Sequence, residues 1–101
     1  MVYSTSVMGI AKDFCHCVGR PFRGSPVTFG VVVSSDAEWY FFAEGPSVPP
    51  GCIQSLGSAE ESLAKEQAAV RLKMFNTEPI QPEEWAERPT PVWVAEQIRK
   101  M

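Results

Sequence analysis

The sequence has little of what several classes of protein require. No apolar run approaches the roughly 20 residues of a membrane-spanning helix, and residues 1–12 lack the basic stretch and apolar segment of a secretory signal. Three cysteines are too few, and odd in number, for a small disulfide-stabilised scaffold. Nine basic residues against twelve acidic ones give a net charge of −3, the opposite of a nucleic-acid-binding domain. We therefore expect a soluble cytoplasmic protein that neither enters a membrane nor binds nucleic acid directly.

The apolar content is sufficient for one core. Apolar residues make up 45% of the 101 residues, and a chain of this length buries roughly two thirds of its surface on folding. This predicts one domain over residues 1–101 rather than two domains or a disordered chain. The order of the elements described below predicts an α+β fold.

The N-terminal segment carries an ambiguous apolar pattern. Val7, Ile10, Phe14 and Val18 recur at spacings of three and four residues, which favours an amphipathic helix over 7–18. A strand also fits, because valine, cysteine and phenylalanine suit one. Two prolines and two glycines in residues 19–26 predict a linker, so residues 1–25 are interpreted as an N-terminal extension.

The clearest pattern is a β-hairpin over residues 27–44. Two runs rich in β-branched and aromatic residues flank a short turn at residues 35–37. Because side chains alternate along a strand, the second strand places Trp39 and Phe41 on one face and Tyr40 and Phe42 on the other. Bulky residues on both faces predict that the sheet is either covered on both sides or meets a partner on one. A third short strand is expected at residues 52–56.

The main helix is predicted over residues 59–76. Ser58 and Glu61 have the spacing of a capping box at its start. Two apolar stripes run along it; the first is Ala59, Leu63, Val70 and Met74, and the second is Ala64, Ala68, Leu72 and Phe75. One stripe should face the sheet, and the other an N-terminal helix, the C-terminal tail or another chain, which includes a homodimer.

The remaining residues, 77–101, are predicted to form a proline-rich tail. Four prolines lie between residues 77 and 91, which leaves room for one helical turn at residues 82–87. Pro91 is suited to the first position of a short closing helix, whose apolar side would carry Trp93, Val94, Ile98 and Met101.

Residues 26–82 resemble the N-terminal domain of the HicB-like antitoxin family. The resemblance rests on Pro50-Gly51-Cys52 after an aromatic strand, on Ser58 and Glu61 at a helix start, and on the proline-rich segment 78–82. It implies a three-stranded antiparallel sheet packed by one helix, which we place in a core over residues 26–76. The helices expected from the apolar patterns at both ends are extensions of that core. The resemblance also implies a protein without catalytic activity that binds and blocks a small ribonuclease toxin. The family's usual DNA-binding segment has no counterpart in the sequence after residue 82.

Cys15, His16 and Cys17, together with Cys52, are the residues that suggest a metal or catalytic site. Zinc favours Cys₃His sets, but ligands at three consecutive positions rarely point at one ion, because on a strand His16 would face away from both cysteines. The sequence also lacks a glycine-rich phosphate loop. We therefore expect no metal, no cofactor and no catalytic residues; a small metal-binding protein or enzyme is the less favoured alternative.

The predicted function is protein binding, by an inhibitor or regulator of a basic partner. One interpretation is an antitoxin that blocks a small ribonuclease; the other is a phage or mobile-element inhibitor of a bacterial defence complex, similar to anti-CRISPR proteins. Acidic and aromatic residues suit both. The candidate partner-binding residues are Trp39, Tyr40, Phe42, Arg71, Leu72, Phe75, Glu83, Glu84 and Glu87.

Overall fold

The computed structural model describes residues 14–58, 60–73 and 80–100. Its centre is one five-stranded sheet in the order β4-β3-β2-β1-β5, in which every neighbouring pair is antiparallel. The strands are β1 (Phe14–Phe22), β2 (Ser25–Val33), β3 (Glu38–Glu44), β4 (Ile53–Ser58) and β5 (Ala86–Pro89). The helices are α1 (Glu61–Leu72) and α2 (Val92–Lys100), with a 3₁₀ turn at Pro82–Glu84. The expected α+β class is confirmed, but the sheet has five strands rather than three.

The N-terminal part of the described chain is a β-hairpin and not a helix followed by a linker. β1 and β2 pair from His16–Val31 to Phe22–Ser25, so the helix expected over 7–18 is wrong for residues 14–18, while residues 7–13 lie outside the described residues. The linker expected over 19–26 is also wrong. Arg23 and Gly24 have φ values of 54° and 78°, the left-handed pair that a two-residue type I′ turn requires.

The prolines of this hairpin are compatible with the ladder. Pro21 and Pro26 face each other one pair away from the turn. In an antiparallel ladder, hydrogen-bonded and non-hydrogen-bonded pairs alternate, and the pair that flanks a two-residue turn is hydrogen-bonded. The two prolines therefore occupy a non-hydrogen-bonded pair, where a missing N–H removes no bond between these strands.

Helices cover both faces of the sheet. This agrees with the alternation in β3, which places bulky side chains on both faces. On one face, Ala64, Ala68 and Leu72 of α1 pack in one core cluster with inward side chains of β2 and β3, among them Phe29 and Phe41. On the opposite face, Val94 and Ile98 of α2 pack with Cys15, Cys17, Val32, Tyr40 and Phe42. The sequence left open whether the sheet is covered on both faces or meets a partner on one. The structure has the sheet covered on both faces.

The start of α1 differs from the sequence prediction. β4 extends to Ser58, and the helix begins at Glu61 with Glu60 at its N-cap and no side-chain capping bond. The capping box predicted from Ser58 and Glu61 is therefore wrong, because Ser58 belongs to the strand. A bulge in β4 brings Leu56 into the core beneath α1. Through the bulge, β4 contributes to this core although it has only one apolar residue on the α1 face of the sheet.

The C-terminal part contains the predicted closing helix and an additional strand. The helical turn expected over 82–87 is a 3₁₀ turn at Pro82–Glu84 only, because residues 86–87 belong to β5, and α2 forms at Val92–Lys100. The amides of Val94 and Ala95 both donate to the Pro91 carbonyl, at 3.1 Å each. β5, which the sequence did not predict, extends the sheet by pairing with Phe14–Cys17 of β1.

The loop between β2 and β3 contains an alanine in the left-handed region, with φ of 63° at Ala37. Its amide donates to the Ser34 carbonyl at 3.0 Å, and the Ser34 amide donates to the Glu38 carbonyl at 2.8 Å. Because a Cβ is disfavoured in this conformation, we expect Ala37→Gly to stabilise the protein by about 0.5–1 kcal/mol, after the greater entropy of the unfolded glycine is deducted. Urea unfolding would measure the gain.

The neighbouring substitution Ser35→Gly is the matched control, since Ser35 is exposed and is not among the described residues with positive φ. It should leave stability unchanged or lower it. An equal gain in both variants would show that the conformation of Ala37 is not the cause.

Candidate functional site

Four of the predicted partner-binding residues lie in the core. Leu72 is 1% exposed beneath α1, Phe42 is fully buried, and Trp39 and Tyr40 are each 8% exposed. The Phe42 ring meets the edge of Trp93 of α2 at a centroid distance of 6.1 Å. These side chains are therefore packing residues in this fold and present almost no surface to a partner.

The charged candidates, Arg71, Glu83, Glu84 and Glu87, lie at the surface, and Phe75 falls outside the described residues. Arg71 donates from Nε to Gln54 Oε1 at 2.9 Å. Glu84 receives two bonds from Arg20, at 2.6 and 2.9 Å. The Gln81 amide and then the Arg20 guanidinium hold the pKa of the Glu84 carboxyl below its usual value. Glu83 and Glu87 are exposed.

A groove runs between α1 and the segment that precedes β5. It has a volume of about 560 Å³, and we call it the α1 groove. Trp85 forms part of its wall, and Lys65 lies over the Trp85 ring with Nζ 5.7 Å from the centroid. The lining residues are Glu61, Ser62, Lys65, Glu66, Ala69, Ile80, Pro82 and Trp85.

The rim of the α1 groove is acidic. Glu61 and Glu66 line it, and Glu83 lies between the lining residues Pro82 and Trp85. Glu87 is paired in register with His16, whose Nε2 is 3.4 Å from Glu61 Oε2. Lys65 Nζ also contacts Glu61, at 2.9 Å. Among the lining residues, Glu61 and Glu66 stand against Lys65, which leaves about one net negative charge beside an apolar wall and suits a basic segment of another protein.

A second feature lies on the opposite face of the sheet, where Cys15 and Cys17 form a close pair of free thiols. Their sulfurs are 3.2 Å apart, and the residues are 1% and 8% exposed. His16 points to the other face, as the alternation along a strand predicts, and Cys52 packs against the α1 side of the sheet. The structure therefore does not bring together the four residues of the zinc hypothesis. Within residues 14–58, 60–73 and 80–100, no group of three or more His, Cys, Asp or Glu side chains could hold a metal ion.

The two thiols differ in acidity. The hydrogen bond between the sulfurs lowers the pKa of Cys15, whereas the same bond, together with burial, raises the pKa of Cys17. Burial also raises the pKa of Cys52.

A cavity of about 450 Å³ lies beside this pair and has Cys17 in its wall. Gly19, Thr28 and Ala86 are small residues in its wall, while Glu44 and Glu84 contribute two acidic groups and Arg88 one basic group. Glu44 accepts a hydrogen bond from the Trp93 indole at 2.7 Å, which fixes the start of α2 next to the cavity.

Sequence reasoning did not predict the α1 groove, and it considered Cys15 and Cys17 only as part of a four-residue zinc site. The α1 groove depends on a contact between α1 and Trp85, which no local pattern reports. The thiol pair follows from the Cys-x-Cys spacing once residues 14–22 are recognised as a strand, because residues two apart then share a face.

Comparisons of the chain with protein-family models, with curated proteins and with solved structures found no match. Neither described helix is long and apolar enough to cross a membrane.

Proposed function

We propose that this protein is a non-catalytic, protein-binding inhibitor that acts in the cytoplasm and blocks a small basic ribonuclease. The α1 groove is the observation that carries the proposal. It combines an apolar wall at Ile80 and Trp85 with an acidic rim, and its volume of about 560 Å³ accommodates several side chains. Interfaces of this kind combine a buried aromatic anchor with a polar rim.

The arrangement of residues 25–72 also supports the proposal. β2, β3 and β4 follow one another as antiparallel strands, and α1 then packs on one face of them. This is the order of elements that the resemblance to HicB-like antitoxins implies. In such a protein the sheet supplies a rigid base, and the outward side of the helix is left for the partner.

The charges along the α1 groove predict a basic partner. A ribonuclease surface that holds RNA must be positively charged, and the same surface is attracted to exposed carboxylates such as those of Glu66, Glu83 and Glu87. Occupation of that surface by an acidic protein excludes the RNA without any chemical step.

The test is capture of the partner from the cell of origin after nuclease treatment, followed by an RNA-cleavage assay of the captured protein. We expect the unmodified chain to capture a small basic protein and to inhibit its cleavage of RNA. Ala69→Arg, which fills the α1 groove, and Glu66→Lys, which reverses a charge on its wall, should abolish capture and inhibition.

Two substitutions on α2 serve as matched controls. Gln97→Arg and Glu96→Lys make similar changes at exposed positions on the opposite face of the sheet, and should leave capture unaltered. Capture that is insensitive to both groove variants would contradict the assignment of the surface. A captured protein that does not cleave RNA, such as a component of a bacterial defence complex, would contradict the assignment of the partner.

A further inference from the structure

We infer that Cys15 and Cys17 form a two-coordinate site for a thiophilic monovalent metal ion of the class of Cu(I). The inference is independent of the α1 groove, because the pair lies on the other face of the sheet. Both sulfurs point to the same side of β1 and are 3.2 Å apart. They are enclosed by apolar side chains, among them Val32, Phe42 and Val94.

The position of the pair on one strand disfavours a disulfide. Residues two apart on a strand have Cα atoms about 6.6–6.8 Å apart, at the upper limit of the roughly 4.4–6.8 Å that a disulfide spans. Closing the bond would therefore strain β1, which is held on both sides by β2 and β5. The geometry keeps the sulfurs close and at the same time works against their oxidation to each other.

A metal ion between the sulfurs needs them further apart than the 3.2 Å of the thiol pair. Two metal–thiolate bonds of about 2.3 Å placed in line need sulfurs about 4.6 Å apart, which a small rotation of each side chain provides. The cavity beside Cys17 supplies room for that movement and a route to solvent. Thiolates select soft ions such as Cu(I), whereas zinc needs two further ligands. The described residues supply no such ligands here.

Arg88 and Thr90 are the neighbouring groups that favour the complex, against the carboxylates of Glu44 and Glu84, which line the same cavity. Binding releases two protons, one from each thiol, and converts Cu⁺ and two neutral thiols into a complex with one negative charge, without any change of oxidation state. Arg88 pairs in register with Cys15 and lines the cavity, so its positive charge is close by. The Thr90 hydroxyl is buried beside Cys15, and its hydrogen bonding is one of the causes that lower the pKa of the Cys15 thiol. It can donate to the Cys15 thiolate.

The test is anaerobic titration of the reduced, metal-free chain with Cu(I) supplied as its bicinchoninate complex. We expect the protein to withdraw one Cu(I) per chain, and X-ray absorption to show two sulfur neighbours and no nitrogen or oxygen. Cys15→Ser and Cys17→Ser should each abolish the transfer, and Cys52→Ser, the matched control, should preserve it. Transfer that survives the double substitution, or that requires Cys52, would overturn the inference.

A measurement on the unmodified protein keeps the inference testable if the serine variants unfold. Cu(I) should slow the alkylation of Cys15 and Cys17, but not that of Cys52, below the low rate that burial already gives the metal-free chain, as read by mass spectrometry over time. Unprotected cysteines at one Cu(I) per chain would refute the site. Zinc added alone should protect none of the three, and equal protection by zinc would refute two-coordinate binding.

Discussion

Gly30→Ala should destabilise the protein by about 2–3 kcal/mol. A Cβ at Gly30 would lie 2.4 Å from Phe42 Cζ and 3.2 Å from Cys17 Sγ. Phe42 is fully buried and packs against Trp93, so the ring cannot move aside without displacing α2. The free energy of unfolding in urea, and a fall in Tm of roughly 10 °C or more, would measure the effect.

Gly19→Ala is the matched control for this prediction. Gly19 lies on β1, on the same face of the sheet as Gly30, but nothing lies within 4 Å of a Cβ added there. The substitution should change stability by less than about 1 kcal/mol, in the favourable direction, because alanine loses less entropy on folding. A similar loss in both variants would mean that glycine is required for the backbone of the strands and not for the space that Phe42 occupies.

The sequence predicts the centre of this fold well because its signal there is local. β-Branched and aromatic residues alternate on both sides of a short polar turn, and the structure has β2 and β3 at these positions. The same alternation indicated that both faces of β3 would be bulky. A sheet covered on both faces was one of the two arrangements that the sequence allowed. That α2 is the second covering helix depends on the contact between Phe42 and Trp93, which lies far along the chain.

The N-terminal error has a specific physical cause. Phe14 and Val18 are four residues apart, a spacing that one helix turn and two strand repeats both produce. The prolines at 21 and 26 then argued for a linker, since proline usually interrupts a ladder. The strands are possible because the two prolines face each other in a non-hydrogen-bonded pair next to the turn at Arg23 and Gly24. This register depends on how β1 and β2 pair, which the pattern of a single segment does not reveal.

The candidate sites were less predictable than the fold. Aromatic residues on β3 suggested a binding surface, but burial depends on which helix covers them, and α2 was not assigned to that face from the sequence. Trp85 and Ile80, which form the wall of the α1 groove, stand in a proline-rich segment without periodicity. Their position against α1 results from the pairing of β5 with β1, a contact between distant parts of the chain.

Leu72→Asp should unfold the protein rather than dissociate an assembly. Leu72 is 1% exposed and belongs to the same core cluster as Phe29 and Ala68. Placing a carboxylate there removes the apolar contacts and requires either the burial of a charge or its protonation, which together cost about 4 kcal/mol or more. Circular dichroism at 25 °C should show loss of the native signal or a large fall in Tm.

Val70→Asp, two residues earlier on α1, distinguishes the two apolar stripes of the helix. Val70 is 61% exposed, so aspartate at this position should leave the fold intact and change stability by about 0.5 kcal/mol or less. Any effect of this variant on elution volume in size-exclusion chromatography would therefore report on association through the exposed stripe of α1, which includes Leu63 and Val70. A folded Leu72→Asp variant together with an unfolded Val70→Asp variant would mean that α1 packs with its other face on the sheet. That orientation would also place the α1 groove on the wrong side of the helix.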